Sequence, residues 1–139
     1  AFIISKIETK RALHNLPKIA KISDALLIDR GDLSRYIPIE SIPLAQEQVI
    51  NFLNRMKKPT YVATNLLETM IKDTLPTRAE SHDIYASLKQ GAKGLVLAAE
   101  TAIGKNPIEC VKFVKKCITV HKNKKILNKK EYLFRLTTA

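Results

Sequence analysis

Lys6, Glu8, the four residues Asp29-Arg30-Gly31-Asp32 and Thr64 are the positions of this chain whose types and spacing suit chemistry. Lys6 and Glu8 stand two apart at the end of an apolar run, so on a strand they project to the same side. Facing an apolar interior, both would be costly to bury unpaired. A second run, Ala25-Leu26-Leu27-Ile28, ends abruptly in Asp29-Arg30-Gly31-Asp32. It is short and bounded by charge, which favours a strand over a helix, and its continuous apolarity suits a strand covered on both faces. Gly31 between an Arg and an Asp lets backbone N–H groups approach a ligand closely. Asp32 can hold a hard cation. Glu8 and Asp32 on adjacent strand ends would form a Mg2+ site completed by waters. Lys6 adds a compact positive charge and Thr64 a hydroxyl. That set suits a phosphorylated or enolate substrate, on which charge develops at oxygen. A plain strand-end salt bridge is the structural alternative for Lys6 and Glu8.

The elements that position these residues repeat. Strands are expected over residues 2–7, from Ala25, over 60–63 and over 94–99. Between them, residues 10–22 read as a helix capped by Thr9 and interrupted or offset at Pro17. Residues 42–56 carry an amphipathic stripe of Leu44, Val49, Ile50, Leu53 and Met56. Residues 66–71 are a short helical segment, and Thr77-x-x-Glu80 is a capping pattern ahead of a helix over 83–90 closed by Gly91. A last helix is expected from Ile108 to about His121. Strand and helix alternating four times imply a parallel sheet with right-handed crossovers. The fold class is therefore α/β, half of a (β/α)8 TIM barrel made of four parallel βα units. The half-barrel is expected over 1–121, with a basic C-terminal tail over 122–139. Half a barrel has two raw sheet edges, so dimerisation or an open sheet is expected.

The 139 residues suit one domain, and 45% hydrophobic with 27% charged residues is the balance of a soluble globular chain. The net charge of +11 raises three partners: nucleic acid, a membrane surface or anionic small substrates. The lysines are scattered except over 112–130, and no aromatic–basic interleaving or Trp is present, so a Lys-rich solvated surface is preferred to nucleic-acid binding. No apolar run could span a bilayer, and no basic-then-apolar leader precedes the first strand. A start at Ala1-Phe2-Ile3, in mid-strand and without Met, suggests a fragment, an excised domain or a processed product. Cys110 and Cys117 lie seven apart, two turns along one helix face at about 10 Å of rise, too far for a disulfide. Free thiols fit a reducing cytoplasm. His14, His82 and His121 have no metal-ligand spacing and read as surface positions, and Tyr85 reads as a packing residue.

The series Ile4-Ser5-Lys6-Ile7-Glu8, Arg30-Gly31-Asp32-Leu33, Ile37-Pro38, Leu44-Ala45-Gln46, Lys58-Pro59, Ala63-Thr64, Leu67-Glu68-Thr69-Met70-Ile71, Pro76-Thr77-Arg78-Ala79-Glu80, Asp83, Gly91 and Glu100-Thr101-Ala102 resembles pyruvate kinase. The resemblance runs unbroken from about Phe2 to His121 and falls on the second half of that family's catalytic barrel, strands five to eight. It implies phosphoryl transfer from phosphoenolpyruvate to ADP, giving pyruvate and ATP in glycolysis. It implies that Lys6 stabilises the enolate and the phosphoryl group in transfer. Glu8 and Asp32 would ligate Mg2+ or Mn2+, and the backbone of Gly31 and Asp32 would hold the substrate carboxylate. Thr64 would stand by the carbon that gains a proton. Arg78 would lie in a subunit interface of a homo-oligomer. The K+ that the full enzyme uses would bind outside this chain. A cytoplasmic location is implied, or a plastid if the full chain carries a transit peptide.

The chain departs from the family pattern at Asp29, where Ala is usual, at Asn65, where Gln is usual, and at Ala99, where Gly precedes the Glu. The first half-barrel, with an Arg that grips the phosphate and much of the nucleotide site, is absent from this sequence. Positioning supplies much of the rate in phosphoryl transfer, so this chain alone is expected to be inactive. The competing reading is a non-catalytic half-barrel serving as an assembly or binding module.

Overall fold

The computed structural model describes residues 1–124. Four strands, β1 (Ile4–Ile7), β2 (Ala25–Asp29), β3 (Thr60–Ala63) and β4 (Gly94–Val96), form one sheet in the order β1-β2-β3-β4, with every neighbouring pair parallel. The register aligns Ile7, Ile28, Val62 and Leu95 in one row across the sheet. Two helices, α1 (Lys10–His14) and α2 (Leu16–Ile22), connect β1 to β2. The next connection holds α3 (Arg30–Leu33) and α4 (Ile42–Arg55). A 3-10 turn (Glu68–Ile71) and α5 (Arg78–Gln90) lead to β4, and α6 (Ala99–Ala102) and α7 (Pro107–Asn123) follow it. This is the expected α/β pattern of four parallel βα units, a partial barrel.

Two apolar clusters hold the layers together. In the first, Ile7, Leu26, Ile28 and Val62 of the sheet meet Leu16 and Ala20 of α2 and Val49, Ile50 and Leu53 of α4. In the second, Leu66, Leu67 and Met70 meet Ile84 and Leu88 of α5 and Cys110 and Val114 of α7. Each fully buried side chain of this size contributes roughly 1.5–3 kcal/mol of transfer free energy. Leu95 packs against both clusters and joins them. β1 and β4 are the end strands of the sheet, and Phe2, Ile3 and Ile4 beside the β1 edge are exposed.

Local chemistry shifts several boundaries. The interruption expected at Pro17 within 10–22 falls at Asn15: α1 stops there, the Asn15 N–H bonding to the Arg11 carbonyl, and Pro17 then sits in the first turn of α2. A proline there forfeits no hydrogen bond. The Arg30-Gly31-Asp32-Leu33 stretch is a helical turn, with the Asp29 side chain capping it at the Asp32 N–H. Helix α5 begins at Arg78 and not at Asp83, since the Thr77–Glu80 capping box is complete and starts it early. The fourth strand stops at Val96 and not Ala99, because the Ala98 N–H turns to the Glu100 carboxylate. Helix α7 continues past His121 to Asn123. The tail expected over 122–139 lies outside the described residues from 125 onward.

Cys110 is buried, Cys117 is half-buried, and both are free. Burial pushes both thiols above the ordinary range, with the Glu100 charge adding to it at Cys110. His14 and His82 are exposed, whereas His121 is half-buried, edge-on to Tyr85 with ring centroids 5.8 Å apart. The surface reading of His121 is thus corrected by the packing of α5 against α7.

Glu80 joins two loops. Its Oε2 accepts from the Thr77 N–H at 2.7 Å and its Oε1 from the Thr69 N–H at 2.7 Å. Burial pushes this carboxyl up, but the Thr77 and Thr69 donors outweigh it and hold the pKa below the usual glutamate range. A folded-state pKa below the unfolded one gives stability that is present above the unfolded value and lost as pH falls through the folded one. Glu80→Gln is expected to cost about 1–3 kcal/mol at neutral pH. In urea titrations the gap from wild type should close below about pH 4. A gap that stays constant to pH 2 would show that ionisation is irrelevant.

Candidate functional site

The carboxyl ends of the first three strands converge. Lys6 extends from β1, and its Nζ lies 2.7 Å from Glu8 Oε2, 3.0 Å from Asp29 Oδ2 and 4.0 Å from Asp32 Oδ2. Glu8, Asp29 and Asp32 each offer a carboxylate oxygen within 4.8 Å of the others. This all-oxygen anionic set fits a hard divalent cation such as Mg2+ or Mn2+. Hydrogen bonds that Lys6 donates first to Glu8 and then to Asp29 hold its ammonium well above its ordinary pKa, so it stays charged. Burial pushes the Asp29 carboxyl up, but the Lys6 bond and the Asp32 N–H bring it below the usual carboxylate range.

Thr64 follows the last residue of β3 with φ +72°, and Asn65 after it has φ +54°. A β-branched residue in the left-handed region is a backbone outlier, costing of order 1–3 kcal/mol. Four bonds hold Thr64 there, one of them from its Oγ1 to the Ala63 carbonyl at 2.6 Å. Its Oγ1 accepts from the Gly31 N–H at 2.8 Å and lies 3.3 Å from Asp29 Oδ1, and its carbonyl accepts from Arg30 at 2.7 Å. A Cβ on Gly31 would sit 3.3 Å from that hydroxyl, a tight contact that the Thr64 side chain would have to relieve by a few tenths of an ångström. An open cleft of about 320 Å³ reaches from Asp29, Asp32 and Thr64 to Ala98, Ala99 and Glu100.

Lys6, Glu8, Gly31, Asp32 and Thr64, all singled out from the sequence, are therefore brought to one site. The Gly31 and Asp32 N–H groups are taken by Thr64 and Asp29, so a ligand carboxylate would have to share or displace those partners. Arg78 lies apart, exposed on the first turn of α5. Glu100 faces inward and accepts from two backbone N–H groups.

In the sequence Asp29 stands out as a departure from the family pattern, and nothing there assigns Arg30 a role of its own. The Arg30 guanidinium turns away from the carboxylates to Asp83, 2.6 Å away on α5. An N-cap signal, Asp three residues before Asp32, was available for Asp29. None was available for Arg30 and Asp83, which are 53 residues apart.

Residues 1–111 match the family model described as pyruvate kinase, barrel domain. The chain belongs to the pyruvate kinase family. It is 48% identical over 114 residues to pyruvate kinase of Thermotoga maritima, an alignment covering 82% of this chain and 24% of that protein. It is 43% identical over 118 residues to pyruvate kinase of Methanocaldococcus jannaschii, covering 85% and 26%. It is 46% identical over 110 residues to the chloroplastic pyruvate kinase isozyme G of Nicotiana tabacum, covering 79% and 20%. The chain thus spans about a quarter of the length of the relatives it matches. Membership places it in a phosphotransferase family with a barrel fold. No helix among the described residues is long and apolar enough to cross a membrane.

Proposed function

We propose that this segment supplies the cation-binding and enolate-facing side of a pyruvate kinase site, acting in glycolysis within a longer or assembled protein. The observation that carries the reading is Lys6 Nζ held between Glu8 and Asp29, within 4.0 Å of Asp32, beside the Thr64 hydroxyl. In the reaction the bond from phosphorus to the enol oxygen of phosphoenolpyruvate breaks, and a bond from phosphorus to a terminal oxygen of ADP forms. The enolate then takes a proton at its methylene carbon, giving pyruvate.

Lys6 offers a charge to the oxygens of the group in transfer and to the enolate oxygen left behind. Thr64, fixed by its strained backbone, presents its hydroxyl beside the carbon to be protonated. Glu8 and Asp32 would hold Mg2+ or Mn2+, which when bound supplies Lewis-acid stabilisation of the oxygens that gain charge. The Gly31–Asp32 turn would receive the substrate carboxylate. K+ and most nucleotide contacts would come from outside this chain. Arg78, exposed on α5, suits a subunit contact of a homo-oligomer, and the two sheet edges suit pairing with further strands. A cytoplasmic or plastid location is consistent with relatives that include chloroplastic isozymes. The relatives do not favour a non-catalytic assembly module.

Calorimetry with Mn2+ on the 139-residue chain tests the metal assignment. Glu8→Gln and Asp32→Asn should each weaken binding at least about tenfold, the loss of roughly 1.4 kcal/mol or more of ligation. Equal Mn2+ affinity in wild type and both variants would overturn the assignment. The same protein should show no turnover in a lactate-dehydrogenase-coupled assay, and measurable turnover would refute the need for the missing half.

A further inference from the structure

We infer that Asp29 is a positioning residue, locking the Lys6 ammonium to the Thr64 hydroxyl, and is not a third cation ligand. The inference rests on the reading above for what Lys6 and Thr64 do. Asp29 ends β2 in register with Ala63, so its side chain stands between the end of β1 and the residue that follows β3. Its Oδ2 is 3.0 Å from Lys6 Nζ. Its Oδ1 is 3.3 Å from both the Asp32 N–H nitrogen and Thr64 Oγ1. The Thr64 hydroxyl also reaches the Ala63 carbonyl at 2.6 Å, so its one proton is shared between that oxygen and Asp29; with Lys6 and the Asp32 N–H, groups from three strand ends meet at one carboxylate and engage both oxygens. The Asp29 side chain is 10% exposed, against 34% for Glu8 and 41% for Asp32. Glu8 and Asp32 are thus the more exposed carboxylates, and Asp32 lines the open cleft through which a cation with its waters would arrive. Asp29 lines the same cleft but is the most buried of the three, with both of its oxygens already engaged by donors of this chain.

The arrangement also answers a problem of entropy. Lys6 is a long, half-exposed side chain, and fixing it costs up to about 2 kcal/mol of rotamer freedom. Its close anchors are Glu8 and Asp29. If Glu8 serves a cation, Asp29 is the anchor that remains. Asp29 also caps α3, which presents Asp32, so one residue sets the relative placement of ammonium, hydroxyl and metal-side carboxylate.

The test uses Asp29→Asn, which keeps shape and an acceptor oxygen, and Asp29→Ser, which keeps N-cap competence but cannot reach Lys6. Side-chain relaxation of the Lys6 ε-methylene by NMR is read together with Mn2+ calorimetry and thermal melting. A merely structural cap would leave Lys6 unmoved in both variants. Positioning predicts a Lys6 order parameter that falls below about 0.6 in each variant. It also predicts Mn2+ affinity within about threefold of wild type and cooperative melting retained. An unchanged Lys6 order parameter, or a loss of Mn2+ affinity as large as that of Glu8→Gln, would overturn the inference. A wild-type chain that binds no Mn2+ would defeat the metal reading, and the Lys6 measurement would then decide the role of Asp29 on its own.

Discussion

Glu100→Ala should lose about 3–6 kcal/mol of folding free energy, enough to unfold much of the population of a domain of ordinary stability. Glu100 is 1% exposed. Its Oε1 accepts from the Leu67 N–H at 2.9 Å and its Oε2 from the Ala98 N–H at 2.7 Å. Those two bonds tie the segment after β3 to the segment after β4. Removing the carboxylate leaves both N–H groups without a partner beside the second apolar cluster, at about 1–3 kcal/mol each, and leaves a void where the side chain was. Gly104 fits the same turn, since a Cβ there would collide with the Glu100 carbonyl oxygen. Glu100→Gln keeps one acceptor oxygen and should lose about half as much. Guanidinium denaturation of the three proteins decides the matter, and a loss below about 1 kcal/mol for Glu100→Ala would mean that water replaces the carboxylate.

Breaking the Arg30–Asp83 pair should have the second largest effect. Arg30 Nη1 lies 2.6 Å from Asp83 Oδ1 and 3.5 Å from Gln46 Oε1, while Nη2 donates to the Thr64 carbonyl at 2.7 Å. The Arg30 side chain is only 11% exposed. Asp83→Ala leaves that guanidinium nearly buried without its counter-charge, at a cost of about 2–5 kcal/mol. Arg30→Met should cost a similar amount, since the Thr64 carbonyl then loses the donor that secures its left-handed backbone. The double variant should be less damaged than the two single losses added, with a coupling energy above about 1 kcal/mol in a denaturation cycle. Additive losses would show that the two residues act separately. Part of the Arg30 contribution is already forfeited, because its buried Nε–H has no acceptor among the described residues.

These two cases divide the legible from the illegible. Period and punctuation in the chain were enough for the four strands, for the parallel order and for the amphipathic α4, because each strand belongs to a short, largely apolar run closed by charged or polar residues. The capping box at Thr77 and Glu80 was readable for the same reason, as its partners are three residues apart. Where a local side chain competed with the pattern, the boundaries moved, as at Asn15 and at the Ala98 N–H.

The site shows the same division. Lys6 and Glu8 could be paired from alternation along one strand, and Gly31 and Asp32 could be placed at a strand end. Motif order was also sufficient to reach the pyruvate kinase family. Only the folded chain revealed that Asp29 sits at the centre of the donors, that Thr64 is held in a left-handed backbone, and that Arg30 looks outward to Asp83. Each of those facts joins residues 23 to 53 positions apart, brought together by parallel crossovers. A linear pattern carries the identity of such partners but not their distance, and distance decides which of two neighbouring carboxylates meets a cation and which meets a lysine.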